Sequence, residues 1–289
     1  PPLRPPRRRA PRRGCTGRRG WVFSNGGRTP HAIHRRELLD QLVADLHDQN
    51  TDHIAITGDL VNLALPDEFA PARRWLDGVG PPQRVTVIPG NHDAYVRATR
   101  HRFAQAFGEY LRGDDAGAGD AIAYPFVRRR GPLTLIATST AVPTAPFMAT
   151  GRLGAAQLAA LDRVLTTRAP EPTFRVLLIH HPLRSEHHSR NKRLTDAEAL
   201  LTLLKRHGVD LILHGHDHVH STMWFDGPRG RIPAVGVPSA SAVAHGRHPA
   251  AAYNLFRITR DGAEWRCEQH VRGFIESKGF RDIRRVTLI

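Results

Sequence analysis

From His34 onward the apolar positions switch repeatedly between two periods. Leu38, Leu39, Leu42, Val43 and Leu46 recur at helical spacing and predict an amphipathic helix over 34–49. The β-branched run at 53–57 then reads as a strand. Phe69, Trp75 and Leu76 predict a helix near 67–78, and 84–88 reads as a second buried strand. Helix, strand, helix, strand is the alternation of an α/β layer with a parallel sheet. Helical spacing returns over 95–111, followed by a Gly/Asp loop at 112–120 and strands at 122–128 and 133–138. A linker, Val142–Pro146, leads to a helix over 154–168, a strand at 174–179, a helix over 195–207 and a strand at 209–213. Beyond that point the pattern is all β. Runs at 219–225, 231–237, 252–259 and 263–271 are separated by turn signals such as Asp226-Gly227-Pro228 and Asp261-Gly262. There is no internal repeat. An α/β half followed by a β-rich half predicts two packed sheets flanked by helices.

Polar clusters stand directly after four of these strands: Gly58-Asp59, Gly90-Asn91-His92-Asp93, His180-His181-Pro182 and Gly215-His216-Asp217-His218. They bring carboxylate, amide and imidazole groups to strand ends, the mixture of oxygen and nitrogen ligands that hard and borderline metal ions take. Each cluster has an ordinary structural role when taken alone. Asp59 suits a helix N-cap or turn, Asn91 to Asp93 suits an Asx turn, and His180 suits a strand-end histidine bonded to backbone. Four such coincidences at four strand ends are a poorer account than one metal centre.

In order and approximate spacing the four clusters resemble the second to fifth motifs of the calcineurin-like metallophosphoesterases, over about residues 34–245. The resemblance implies a four-layer α/β-β/α sandwich of two mixed sheets flanked by helices, with the metal site at strand ends. It implies Asp59 as a carboxylate shared by two ions. Asn91, His180 and His216 would complete the protein ligands of the second ion, and His218 would serve the first. His92 would face substrate as the catalytic group, with Asp93 orienting its ring. The implied activity is hydrolysis of a phosphomono- or phosphodiester by a metal-held water or hydroxide. Its cofactors would be divalent metal ions, Mn, Fe or Zn, two in the family. The His-His-Pro and Asn-His-Asp forms are most similar to the bacterial cyclic-nucleotide and glycerophosphodiester branch. The alternatives are a nuclease-type phosphodiesterase, and an impaired relative that binds a phospho-ligand or partner.

One departure is visible. The family's first motif, an Asp-x-His at the end of a first strand, has no counterpart before the helix at 34–49, and His31 and His34 are poor substitutes. Taken literally, only Asp59 and His218 then serve the first ion, so either the true start is lost or the chain is a natural one-metal or inactive relative, and neighbouring strands would have unpaired edges. The expectation is a lost or misread start, because residues 1–20 have the composition of GC-rich sequence translated off frame. Other residues near the motifs carry weaker expectations. His214 and His220 should pack beside the site, His181 should contact substrate, and Pro238–Ser241 should line the pocket. The loop 184–193, with His187 and His188, should be solvated, and Arg128–Arg130 should be an exposed strand end.

Composition adds limits. The chain has 289 residues, 40% hydrophobic and 24% charged, an ordinary globular balance divided into an Arg/Pro-rich segment at 1–20 and a single domain at 21–289. The first segment has eight arginines and no acid, and should be disordered. Removing those eight from the net +15 leaves +7 for residues 21–289, so charge alone does not argue for nucleic acid. Cys15 and Cys267 offer neither a disulfide framework nor a thiolate zinc site. No run approaches the roughly 18 apolar residues of a spanning helix. Trp21-Val22-Phe23 behind paired arginines is too short for a signal core, so the expected compartment is cytoplasmic, with a small phosphoester as partner and no membrane.

Overall fold

A computed structural model describes residues 33–94, 100–117, 119–145, 147–167, 172–185 and 190–289. The expectations for residues 1–20, His31, His187, His188 and the start of the 95–111 helix lie outside the described residues. The helices are α1 Arg36–Asp48, α2 Pro66–Val79, α3 Arg100–Phe107, α4 Ala155–Thr166 and α5 Ala197–His207. The strands are β1 Ile54–Ile56, β2 Val85–Val87, β3 Phe126–Arg130, β4 Leu133–Ala137, β5 Phe174–Leu178, β6 Leu211–His214, β7 Ser221–Gly227, β8 Gly230–Gly236, β9 Ala252–Asp261, β10 Glu264–Ile275 and β11 Gly279–Thr287. None of the helices among the described residues is long and apolar enough to cross a membrane.

Six strands form a mixed sheet in the order β3-β4-β5-β6-β8-β7, parallel through its centre and antiparallel at both edges. Its side chains divide with the strand period of two. Phe174, Val176 and Leu178 of β5 enter one core, while Leu177 and, just past the strand, Ile179 enter the other. The second core lies under α4 and α5, through Leu161, Leu165, Leu200 and Leu204. The first core lies between the six-stranded sheet and the remaining strands, and is closed at its side by Phe69 and Leu76 of α2 and Phe103 and Phe107 of α3. Outside those strands, Leu38 and Leu42 of α1 pack on Tyr253 and Phe280. Helix, sheet, sheet, helix is the predicted four-layer order.

The second sheet layer differs from expectation. It consists of two separate ladders: β1 and β2, parallel, and β11-β10-β9, antiparallel. Among the described residues nothing pairs with the other edge of β1 or of β9. The consequence shows in burial: β2 is buried at all three positions, whereas the equally apolar Ile54-Ala55-Ile56 of β1 is only half-buried. Among the described residues no strand precedes α1, and none joins the two ladders.

Two further differences have simple causes. Strand β11 leaves no apolar pattern in the sequence, because Arg281, Asp282, Arg284 and Arg285 dominate it and Phe280 is its main buried residue. Arg128 is buried rather than exposed; its guanidinium donates to the carbonyls of Pro82, Val85, Glu109 and Arg112. Carbonyl acceptors make burial of that cation tolerable without a carboxylate partner.

Candidate metal centre

The four clusters do meet at strand ends. Asp59 follows β1, Asn91 follows β2, His180 follows β5, and His216 and His218 follow β6. Two glycines let the first pair of loops cross. A Cβ on Gly90 would stand 2.1 Å from Asp59 Oδ1, and one on Gly58 would stand 2.6 Å from the Gly90 nitrogen. Any larger residue at either position would separate the loops. Asp59, His216 and His218 also have left-handed backbones, with φ of 61°, 66° and 54°. Such conformations are costly for non-glycine residues and concentrate where the fold forces a side chain to face a site.

The side chains of Asp59, Asn91, His180 and His216 converge on one point. Asn91 Oδ1 lies 3.0 Å from His180 Nε2 and 2.9 Å from His216 Nδ1, and Asp59 Oδ2 lies 3.4 Å from His180 Nε2. Ligand atoms around a tetrahedral ion with bonds near 2.1 Å stand about 3.4 Å apart, so this spacing suits a single cation. Proton placement suits it as well. His180 Nδ1 lies 2.6 Å from the Thr57 carbonyl oxygen and His216 Nε2 lies 2.9 Å from that of Lys192. Carbonyls only accept, so those nitrogens carry the protons and the inner nitrogens present lone pairs to Asn91 Oδ1. Three lone-pair atoms facing one another favour a cation. Without one, a second proton on His180 must substitute, and its basicity reflects that: burial lowers it, but the Asp59 carboxylate and the Thr57 carbonyl raise it overall. For Asp59, burial acts upward, but His180 and then His92 hold its carboxyl well below the usual range.

His181 joins His180 and His216 in a cluster whose imidazole nitrogens lie within 4.8 Å of one another. It is not placed as a ligand. Its Nδ1 accepts from Thr140 Oγ1 at 2.7 Å and its Nε2 donates to the Ala149 carbonyl at 3.0 Å, so both nitrogens are committed. It is fully buried, which overturns the expected substrate contact.

The role expected of Asp93 also changes. Asp93 Oδ2 accepts the backbone N–H groups of Asp59 and Gly90, and Oδ1 accepts that of Val61. It therefore clasps the two crossing loops instead of orienting His92. The His92 ring is set by the Asn62 carbonyl, 2.6 Å from Nδ1, and its backbone N–H donates to Asp59 Oδ1. Burial, and then the charge of Asp59, push the Asp93 carboxyl upward, while its backbone donors oppose that shift.

On the first-ion side the described residues bring only Asp59 and His218 of the predicted ligands. Burial pushes His218 down to about 4, against the opposing charge of Asp59. His34 is fixed beside this region by Ser241 Oγ at 2.9 Å, and its electrostatic neighbours include His245 and His92. His214 packs as expected, fully buried. The groups that the sequence could not announce are backbone carbonyls, those of Thr57, Asn62 and Lys192, because any residue type supplies one.

The sequence profile of the calcineurin-like phosphoesterases matches residues 30–220, well over half of the chain. The chain belongs to that family. A solved dimetal phosphatase from Danio rerio superposes with a TM-score of 0.60 at 16% identity, covering 88% of this chain and 90% of that one, a likeness of fold. A curated relative, purple acid phosphatase 17 of Arabidopsis thaliana, is 38% identical over 58 residues, which are 20% of this chain. The matched stretch spans only 17% of that relative's length. The family match stops just past the last histidine cluster and so contains all the converging side chains.

Proposed function

We propose that the chain hydrolyses phosphoesters with a divalent cation held by Asp59, Asn91, His180 and His216. The observation that carries this reading is the convergence of one carboxylate oxygen, one amide oxygen and two unprotonated imidazole nitrogens at strand ends. The donor set suits Mn, Fe or Zn. Such an ion supplies charge neutralisation at phosphoryl oxygens and lowers the pKa of a bound water. The chain's own groups do the rest. Thr57 and Lys192 hold the imidazole tautomers, and Asp93 holds the two loops in register. His92, with Nδ1 engaged by Asn62, would as an imidazolium donate a proton to the leaving alkoxide. The substrate class is a small phosphomono- or phosphodiester.

A second reading has its own observation. With Asp59 and His218 alone on the first-ion side among the described residues, the chain would hold one ion and act as a phospho-ligand-binding relative with an impaired site. Hydrolysis of an aryl phosphodiester with added Mn²⁺, in the natural chain and in Asn91→Ala, separates the readings. Turnover that falls at least tenfold in the variant supports the enzyme. Uptake of Mn²⁺ without turnover in either protein supports the binding module.

A further inference from the structure

The His181 ring occupies an unusual position. It is fully buried and stands beside both candidate imidazole ligands, its ring centroid 4.3 Å from that of His216 and 5.0 Å from that of His180, which are themselves 5.2 Å apart. Behind it there is no free space: a Cβ on Gly151 would fall 2.3 Å from His181 Nδ1, so the ring backs directly onto main chain. Thr140 Oγ1 and the Ala149 carbonyl fix its plane from opposite sides. The segment that supplies Ala149 and Gly151 is bonded to 191–195, through Ala149 N–H to Asn191 O, Gly151 N–H to Arg193 O and Thr195 N–H to Gly151 O. The same 191–195 segment presents the Lys192 carbonyl to His216 Nε2. The wall, His181 and His216 therefore form a closed circuit of contacts.

The His216 backbone is left-handed, and its imidazole meets Asn91 Oδ1 through Nδ1 and the Lys192 carbonyl through Nε2. We propose that His181 is a positioning residue: packed against the rings of both His180 and His216, it fixes the plane of the His216 imidazole so that Nδ1 meets the cation site. This rests on the proposed metal centre, but asks for something different, because His181 touches neither cation nor substrate. Groups that orient metal ligands from behind typically contribute 10- to 100-fold in metal affinity.

The test is a Co²⁺ titration followed by the visible d–d absorption of the ion, run on the natural chain, His181→Ala and Thr140→Val, with thermal melts of the metal-free proteins beside it. Thr140→Val removes the hydroxyl donor to Nδ1 while keeping the ring and its volume. The expected result is a dissociation constant raised roughly 10- to 100-fold in His181→Ala and by a smaller factor in Thr140→Val. The cation count per chain should not change, the absorption band should shift in both, and the metal-free Thr140→Val protein should still melt in one cooperative transition, at a lower temperature than the natural chain. Affinities within twofold of the natural chain in both variants overturn the proposal. So does complete loss of binding in His181→Ala with Thr140→Val unaffected, since that describes a direct ligand. A natural chain that takes up no Co²⁺ instead overturns the metal centre on which the proposal rests.

Discussion

The two sides of the candidate centre are built from unequal amounts of the fold. On the second-ion side, four side chains arrive from the ends of β1, β2, β5 and β6, and both imidazoles have a proton fixed by a backbone carbonyl. On the first-ion side, Asp59 and His218 arrive from two of the same strands, and among the described residues nothing pairs with the other edge of β1. Strands β5 and β6 lie inside the six-stranded sheet, while β1 is half-buried. The second-ion side adds the ends of β2 and β5 to the two strand ends, β1 and β6, that both sides share. Among the described residues the first-ion side adds no third strand end.

This contrast can be broken by substitution. The largest effect is expected from His180→Ala, which removes a ligand and the acceptor-facing nitrogen together. Turnover of an aryl phosphoester should fall about 10²- to 10³-fold, the scale of losing one preorganised charge-stabilising contact. Equal turnover would place the chemistry elsewhere. Asp93→Asn should come next, read as stability. Two loop crossings share that carboxylate, so chemical denaturation should show a loss of about 1–3 kcal/mol, the cost of leaving buried donors poorly paired.

His218→Ala sharpens the comparison from the weaker side. If the complete half binds on its own, calorimetry should still show the first equivalent of Mn²⁺ binding with unchanged affinity. Turnover should fall roughly tenfold, or ~1.4 kcal/mol in barrier. Loss of the first equivalent would mean that the two sides are one inseparable site.

The smallest effect concerns the ladder beyond the open edge. Asp45 of α1 accepts from Arg272 of β10 and from Tyr253 of β9. Burial raises the Asp45 carboxyl, but Arg272 and Tyr253 outweigh it and the net shift is down from 3.8. A carboxyl more acidic in the folded chain stabilises above its unfolded pKa, and that contribution is lost as pH falls through the lower folded value. Asp45→Asn should thus lower the melting temperature near neutral pH by an amount corresponding to ~1 kcal/mol or less. That difference should shrink as pH falls below the ordinary carboxyl range and through the lower folded value.

Most of the layer order is legible in the sequence because buried strands such as Val176-Leu177-Leu178 and amphipathic helices such as α1 have strong periods. The strand ends are legible for the same reason, since a β-branched run that stops at a polar cluster marks where the sheet edge meets the site. Strand β11 is hidden because its exposed face is arginine-rich and Phe280 alone marks the inside strongly. The form of the second layer as two ladders depends on backbone pairing that no residue pattern shows. Sequence misleads at Asp93 because its neighbour along the chain is His92, whereas its partners include backbone N–H groups on another loop. It misleads at Arg128 because charge suggests exposure, and carbonyl acceptors from 82–112 cannot be seen in a strand pattern.

The central claim is that Asp59, Asn91, His180 and His216 grip one cation. Crystals grown with Mn²⁺ and measured at the manganese absorption edge test it directly, because the anomalous signal marks only the ion. The account predicts a peak with Asp59 Oδ2, Asn91 Oδ1, His180 Nε2 and His216 Nδ1 all in direct coordination, about 2.0–2.3 Å away. A peak elsewhere, or none at saturating Mn²⁺, would contradict it.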